Sequence, residues 1–106
     1  ALGAEDTVDW KYYEKTQDAV IELKEEGVEV LAIEQVEGSI MLQNFVPQPN
    51  KKYAIVFGNE VKGVQQEVVD MCDNCIEIPQ FGTKHSLNVS VTAGILIWDF
   101  AYKLKL

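Results

Sequence analysis

The sequence has no arginine, since all nine of its basic residues are lysine. Any contact with phosphate therefore depends on lysine, which offers a point charge and not the two-pronged fork of a guanidinium. The sequence also lacks a long apolar run. Its longest, residues 93–98, is far shorter than the ~20 residues that cross a bilayer. We expect no membrane-spanning segment.

Cysteine and histidine are scarce: the chain has only Cys72, Cys75 and His85. Two cysteines do not form a disulfide framework, so we expect a cytoplasmic protein. Their C-x-x-C spacing allows a redox pair or a zinc site. However, redox pairs begin a helix, whereas this pair follows one, and structural zinc needs four ligands. We therefore expect two half-buried cysteines at a helix–strand junction and no bound metal.

The net charge of −8 is distributed unevenly. Residues 1–50 carry eleven acidic residues and three lysines, whereas residues 51–106 carry six of each kind. Such an acidic total argues against a nucleic-acid partner, but the neutral second half weakens that argument. With 47% hydrophobic and 25% charged residues, the composition is that of a globular protein. We expect residues 1–106 to form a single domain.

Hydrophobic periodicity predicts alternating helices and strands. The predicted helices span residues 15–26, 65–71 and 86–102, and the predicted strands span residues 29–33, 53–57 and 75–78. This alternation indicates an α/β fold with a mostly parallel sheet and flanking helices. The unbroken apolar run at 53–57 predicts a strand buried on both faces. Thr16 and Gly27 are the predicted caps of the first helix, and residues 34–50 form a polar connector with a short apolar piece at 40–46.

The last predicted helix, residues 86–102, is apolar on nearly every side. A helix of this kind is normally buried all round. In a chain of 106 residues, we expect either a partner subunit or a wrapping of the chain to cover it.

Two apolar strands end abruptly in glycine-bearing loops. G-N-E-V-K-G occupies residues 58–63, and I-P-Q-F-G at residues 78–82 is followed by S-L-N-V-S at residues 86–90. In an open α/β sheet, small ligands bind outside the carboxyl ends of the strands, so two such loops side by side would form one pocket. Gly58 would let the backbone approach a ligand closely. Taken singly, the same residues are equally well explained as turn glycines and core side chains.

These two segments resemble the second and third motifs of the SpoU (TrmH-like) RNA methyltransferases, and residues 1–8 resemble the segment between that family's first and second motifs. The resemblance covers the whole chain, and the pairing of the two motifs at this separation is specific. It implies an α/β fold that ends in a trefoil knot, and a homodimer formed through the last helix. It also implies methyl transfer from S-adenosylmethionine to a ribose 2′-hydroxyl of tRNA or rRNA. Knots are rare, and only the resemblance predicts one here.

The resemblance also assigns roles to individual residues. The cofactor would be bound by Gly58, Ile78, Pro79, Gln80, Leu87 and Asn88, and the active site would contain Asn59, Glu60, Ser86 and Asn88. Lys62 and Lys84 would contact RNA phosphates, while His85 is incidental. Simpler roles are also open: Glu60 as a carboxylate near a helix start, Ser86 or Asn88 as a helix cap, and both lysines as solvated surface.

In this family the ribose hydroxyl is deprotonated or polarised with the help of an arginine from the first motif, upstream of the matched segment. Because this chain has no arginine, we expect a C-terminal portion, truncated on the N-terminal side of the sheet, that binds cofactor weakly and does not transfer methyl groups alone. Missing strands would expose an apolar face and an unpaired edge. We therefore expect either self-association beyond a dimer or poor order over residues 1–13.

Two other functions remain open at this stage. A non-catalytic RNA-binding or dimerisation module of the same fold is favoured by the missing arginine and the acidic first half. A nucleotide- or flavin-binding fragment is disfavoured because neither loop has the G-x-G-x-x-G pattern.

Overall fold

The computed structural model describes residues 16–58, 63–79 and 89–105. In chain order its elements are α1 (Thr16–Glu25), β1 (Glu29–Ile33), β2 (Ile40–Met41), a 3₁₀ helix (Leu42–Asn44), β3 (Tyr53–Val56), α2 (Gln66–Met71), β4 (Asn74–Glu77) and α3 (Val89–Leu104). The three predicted helices and three predicted strands are all present. Their described ends lie within two residues of the predicted ones, except that the last helix is described from Val89, three residues after its predicted start.

The two ends of α1 differ in how well they follow the prediction. The helix begins at Thr16, so Thr16 is its first residue and not the cap before it. Gly27 does end the helix, with a φ of +80°. Its N–H donates to the Lys24 carbonyl at 3.0 Å, and the Val28 N–H donates to the Leu23 carbonyl at 3.0 Å. This pair of bonds is the Schellman motif, which satisfies the last carbonyls of a helix.

The sheet has four parallel strands in the order β2-β4-β1-β3. β1 lies between two neighbours, and Val30, Leu31 and Ala32 are fully buried in it. The prediction that residues 53–57 form a strand buried on both faces is wrong for this part of the chain. β3 is half-buried throughout, because it lies at an edge of the described sheet and only β1 pairs with it.

Helices cover both faces of the sheet, as predicted for an α/β fold. Side chains of a strand alternate between faces, so neighbours on β1 join different clusters. Val30 packs with Val20 of α1 and Val68 of α2 on one face. On the other face Leu31 belongs to a cluster whose further buried members are Leu42, Phe45, Ile76 and Leu96. Leu96 brings α3 onto this second face.

The connector at residues 34–50 contains a strand that the sequence did not predict. β2 has only two residues and pairs with β4, and the 3₁₀ helix follows it directly. Lys103 of α3 is bonded to this segment. Its Nζ donates to the carbonyls of Leu42 at 2.6 Å and Phe45 at 2.8 Å and lies 2.7 Å from the Asp99 carboxylate. The end of α3 is thereby tied to the connector.

The described chain buries only one side of α3. Thr92 and Leu96 are buried, but Val91, Trp98 and Tyr102 are more than half exposed. The rings of Trp98 and Tyr102 stack with centroids 5.2 Å apart. The expected wrapping by the chain itself is therefore not found among the described residues, and the expected partner subunit stays a prediction. No described helix is long and apolar enough to cross a membrane.

Candidate functional site

The carboxyl ends of the parallel strands meet at one edge of the sheet, which we call the carboxyl edge. β3 leads into Gly58, β4 leads into Ile78 and Pro79, and β1 leads into Glu34. The strands that lead into the two predicted loops are not direct neighbours, because β1 runs between β3 and β4. With neighbouring strands about 4.8 Å apart, the ends of β3 and β4 are separated by roughly 10 Å. Glu34 occupies the position between them.

Gly58 and Gly63 bring the two ends of the first loop into close contact. A Cβ on Gly58 would lie 2.2 Å from the Gly63 carbonyl carbon and 2.4 Å from the Val64 nitrogen. No side chain can occupy that position unless the backbone moves. Gly63 has a φ of +70°, a conformation that only glycine adopts readily. The backbone at the end of the first loop therefore contacts the backbone at its start. Glycine is required at position 58 by this contact and at position 63 by the positive φ.

Glu34 is bonded to the chain on both sides of β1: to β4 on one side, and to the end of the loop that follows β3 on the other. Its backbone N–H donates to the Ile76 carbonyl of β4 at 3.1 Å. Its carboxylate accepts the Val64 N–H at 2.8 Å, and the Gln35 N–H at 3.2 Å. A Cβ on Gly63 would lie 2.6 Å from Glu34 Oε2, so the carboxylate also rests against that glycine. Sequence reasoning placed Glu34 in the polar connector and missed this position. The available signal was an acidic residue directly after an apolar strand.

Apolar side chains line the β4 side of the carboxyl edge. Ile78 is half-buried and packs against the cluster around Leu31 and Ile76, and Pro79 is also half-buried. Just before them, the Glu77 carboxylate accepts the Ser39 hydroxyl at 2.7 Å. The structure thus places Gly58, Ile78 and Pro79, three of the predicted cofactor residues, at the same edge of the sheet.

The other predicted site residues lie outside the described residues. They are Asn59, Glu60, Lys62, Gln80, Lys84, Ser86, Leu87 and Asn88, and His85, to which no site role was assigned, lies outside the described residues too. Their roles, and the expectation for residues 1–13, stay predictions.

The two cysteines lie at a helix–strand junction, as predicted. Cys72 follows α2 and Cys75 is in β4, and both are free and half-buried. Burial raises the pKa of the Cys72 thiol to about 11. Burial, and then the Glu34 carboxylate, raise the pKa of the Cys75 thiol. Because the thiolate is the reactive form, neither cysteine suits a nucleophile at neutral pH. Among the described residues, no group of three or more His, Cys, Asp or Glu could hold a metal ion.

A hollow of about 250 Å³ lies at the opposite end of the sheet, beside Gly27 and Val28. Its charged side chains are paired with one another. Lys24 Nζ lies 3.8 Å from the Asp73 carboxylate, and Lys51 Nζ lies 3.4 Å from the Glu29 carboxylate. Among the described residues that line this hollow, no charged side chain is left unpaired to bind a ligand, so the carboxyl edge is the stronger candidate site.

A family model described as the SpoU rRNA Methylase family matches residues 1–98. The chain belongs to this family, which confirms the resemblance seen in the two loop motifs.

Two curated relatives have names that state a reaction. A tRNA (guanosine(18)-2′-O)-methyltransferase of Borreliella burgdorferi is 31% identical over 104 residues, which is 98% of this chain and 47% of the relative. The 23S rRNA (guanosine-2′-O-)-methyltransferase RlmB of Neisseria meningitidis is 33% identical over 97 residues, 92% of this chain and 38% of the relative. The chain thus spans less than half the length of either relative.

Solved structures share the fold. The TrmH/SpoU tRNA modifying enzyme of A. aeolicus superposes with a TM-score of 0.75 at 29% identity, over 88% of this chain and 46% of the other. An RNA methyltransferase structure from Bacillus anthracis gives a TM-score of 0.73 at 28% identity, over 90% of this chain and 59% of the other. The α/β fold with a parallel sheet is the one found in these enzymes.

Proposed function

We propose that this chain is the S-adenosylmethionine-binding part of an RNA methyltransferase that modifies a ribose 2′-hydroxyl of tRNA or rRNA. Family membership over residues 1–98 supports the reaction class, and the names of both curated relatives specify 2′-O-methylation of RNA. The observation that carries the proposal is the convergence of Gly58, Ile78 and Pro79 at the carboxyl edge, where open α/β sheets bind small ligands.

The described residues fit the proposed cofactor. The space that a side chain on Gly58 would fill is taken by the backbone of Gly63 and Val64, so the turn itself requires glycine there, and in this proposal the peptide groups of Gly58 face the ligand. Ile78 and Pro79 offer partly buried apolar surface, which suits the flat face of an adenine. When bound, S-adenosylmethionine supplies an electrophilic methyl group. In this proposal Gln80, Leu87 and Asn88 complete the cofactor site.

The substrate hydroxyl requires further groups. A ribose 2′-hydroxyl is a poor nucleophile until a base takes its proton or polarises it. We propose that Asn59, Glu60, Ser86 and Asn88 shape the active site and orient the ribose. Lys62 and Lys84 would contact RNA phosphates as point charges. The group that deprotonates or polarises this hydroxyl in the family is an arginine, and this chain has no arginine.

The proposed assembly is a cytoplasmic homodimer formed through α3, without metal. The exposed apolar side chains of Val91, Trp98 and Tyr102 support this interface, since contiguous apolar patches mark interaction sites. The two half-buried free cysteines are compatible with a reducing compartment. We also propose the family's trefoil knot at the C-terminal end, a feature that rests on family membership alone.

Calorimetric titration tests the cofactor proposal. We expect S-adenosylhomocysteine to bind the 106-residue chain saturably, with one site per chain, and NAD and FMN to give no binding heat at equal concentration. S-adenosylhomocysteine is the appropriate ligand because it shares the nucleoside and amino-acid parts of the cofactor and cannot react. Binding of FMN or NAD in its place would favour the nucleotide-binding alternative and overturn the proposal.

Methyl transfer by this chain alone is expected to be undetectable. The physical reason is the missing arginine, which in the family helps to deprotonate or polarise the hydroxyl, because such assistance typically contributes about 10²–10⁴-fold to rate. The measurement is transfer of radiolabelled methyl groups to bulk unmodified tRNA and rRNA. Robust turnover would show that another residue of this chain takes the proton, contrary to this prediction.

A second candidate function is a non-catalytic module that binds RNA or dimerises. The absent arginine and the exposed face of α3 favour it. The two functions differ in one observable, because a non-catalytic module has no need to retain cofactor affinity. A dimer that binds RNA but gives no heat with S-adenosylhomocysteine would support this second function.

A further inference from the structure

Glu34 directly follows β1, and its side chain contacts Gly63 and Val64, where the first loop ends. Through its backbone it is bonded to β4, which leads to Ile78, and through its carboxylate it is bonded to Val64, just beyond Gly63. The residue that directly follows the central strand β1 is therefore bonded to the chain on each side of that strand. Neither the sequence motifs nor the predicted site residues include it.

We propose that Glu34 is a positioning residue for cofactor binding, an inference that rests on the proposed function. Its carboxylate holds the Gly63–Val64 backbone close to Gly58, and so fixes where the bare backbone of Gly58 faces the ligand. A Cβ added to Gly63 would lie only 2.6 Å from Glu34 Oε2. The carboxylate is therefore in direct contact with Gly63. Glu34 itself need not touch the cofactor.

The geometry distinguishes among replacements of Glu34. Alanine removes both acceptor oxygens, and aspartate shortens the side chain by one methylene, so neither reaches the Val64 N–H. Glutamine keeps one acceptor oxygen, which suffices for the 2.8 Å bond to Val64 and gives up only the longer 3.2 Å contact with Gln35. If only the negative charge of Glu34 mattered, glutamine would weaken binding and aspartate would preserve it. Positioning through the hydrogen bond predicts the opposite result for these two variants.

The test is calorimetric titration of S-adenosylhomocysteine into the 106-residue chain and its variants, at a temperature where circular dichroism shows each to be folded. We expect Glu34→Ala and Glu34→Asp to weaken binding about tenfold, the value of one hydrogen bond to a charged group. Glu34→Gln should stay within about threefold of wild type. Glu29→Ala is the matched control: it removes a half-buried carboxylate from the other end of β1, bonded to Lys51, and should leave binding unchanged.

A second variant tests the contact from its other side. Gly63→Ala places a Cβ against the carboxylate, so it should weaken binding in the wild-type background by at least as much as Glu34→Ala. In the Glu34→Ala background the obstructing carboxylate is gone, and the further loss should be smaller. Such non-additivity is the signature of two residues in contact.

The outcomes separate the inference from the function on which it rests. Binding that is equal in wild type and Glu34→Ala, or lost equally in Glu29→Ala, would overturn the positioning role and leave the proposed function intact. Additive effects of Glu34→Ala and Gly63→Ala would also overturn it. Absence of binding in the wild-type chain would overturn the proposed function, and this inference with it.

Discussion

Gly58→Ala is expected to weaken cofactor binding more than tenfold and to destabilise the fold. The added Cβ would lie 2.2 Å from one backbone atom and 2.4 Å from another, and neither can rotate away as a side chain could. Relieving such overpacking costs about 1–3 kcal/mol in free energy of unfolding. The relief moves the backbone at the carboxyl edge, where the proposed site lies. We expect more than tenfold weaker binding of S-adenosylhomocysteine by calorimetry and a lower Tm.

Gly27→Ala is the matched control for this prediction. Gly27 has a φ of +80°, and a Cβ there would meet nothing within 4 Å. The change should cost about 1 kcal/mol, because alanine is strained in this conformation. It lies at the other end of the sheet from Gly58, so cofactor binding should stay at the wild-type level. Binding by Gly58→Ala as tight as that of Gly27→Ala would place the ligand away from this turn.

Trp98→Glu is expected to convert a dimer into a monomer. Trp98 is 66% exposed, and it stacks on Tyr102, which is 71% exposed. Two large aromatic side chains on one exposed helix face are typical of the residues that dominate binding energy at interfaces. Replacing one of them with a charge should cost about 2 kcal/mol or more, roughly thirtyfold in the dimer Kd. Analytical ultracentrifugation across a concentration series measures this change.

Ile21→Glu provides the control for the dimer prediction. Ile21 is also a large apolar residue with substantial exposure, 48%, but it belongs to α1 on the opposite face of the sheet. The same charge introduced there should leave the dimer unchanged. A wild-type chain that sediments as a monomer at tens of micromolar, or a Trp98→Glu variant as dimeric as wild type, would contradict an interface on α3.

The sequence was most informative where structure depends on near neighbours. The strand at residues 29–33 was predicted with its observed bounds because a short apolar run between polar residues admits few alternatives. Gly27 was correctly identified as the end of α1, since a positive φ at that point favours glycine. Gly58 was interpreted either as a close approach to a ligand or as a turn glycine. The structure shows the turn, because the Gly63 and Val64 backbone fills the space beside Gly58, and the approach to a ligand stays a prediction.

Features that depend on distant pairing were not predictable in this way. β2 is only two residues long and exists through its pairing with β4, 36 positions later in the register Ile40–Ile76. The run at residues 53–57 looked like a central strand, but its neighbours in the sheet decide its burial, and among the described strands only β1 pairs with it. The role of Glu34 depends on Val64, 30 residues away. The exposure of one side of α3 was also not predictable from the helix itself, because it depends on which other described residues pack against that helix.

A crystal structure of this chain with S-adenosylhomocysteine would show directly whether the carboxyl edge binds the cofactor. We expect ligand density at the carboxyl edge, with the nucleoside against the Gly58 backbone and in contact with Ile78 and Pro79. Density in the charged hollow lined by Lys24 and Asp73, at the opposite end of the sheet, would contradict it.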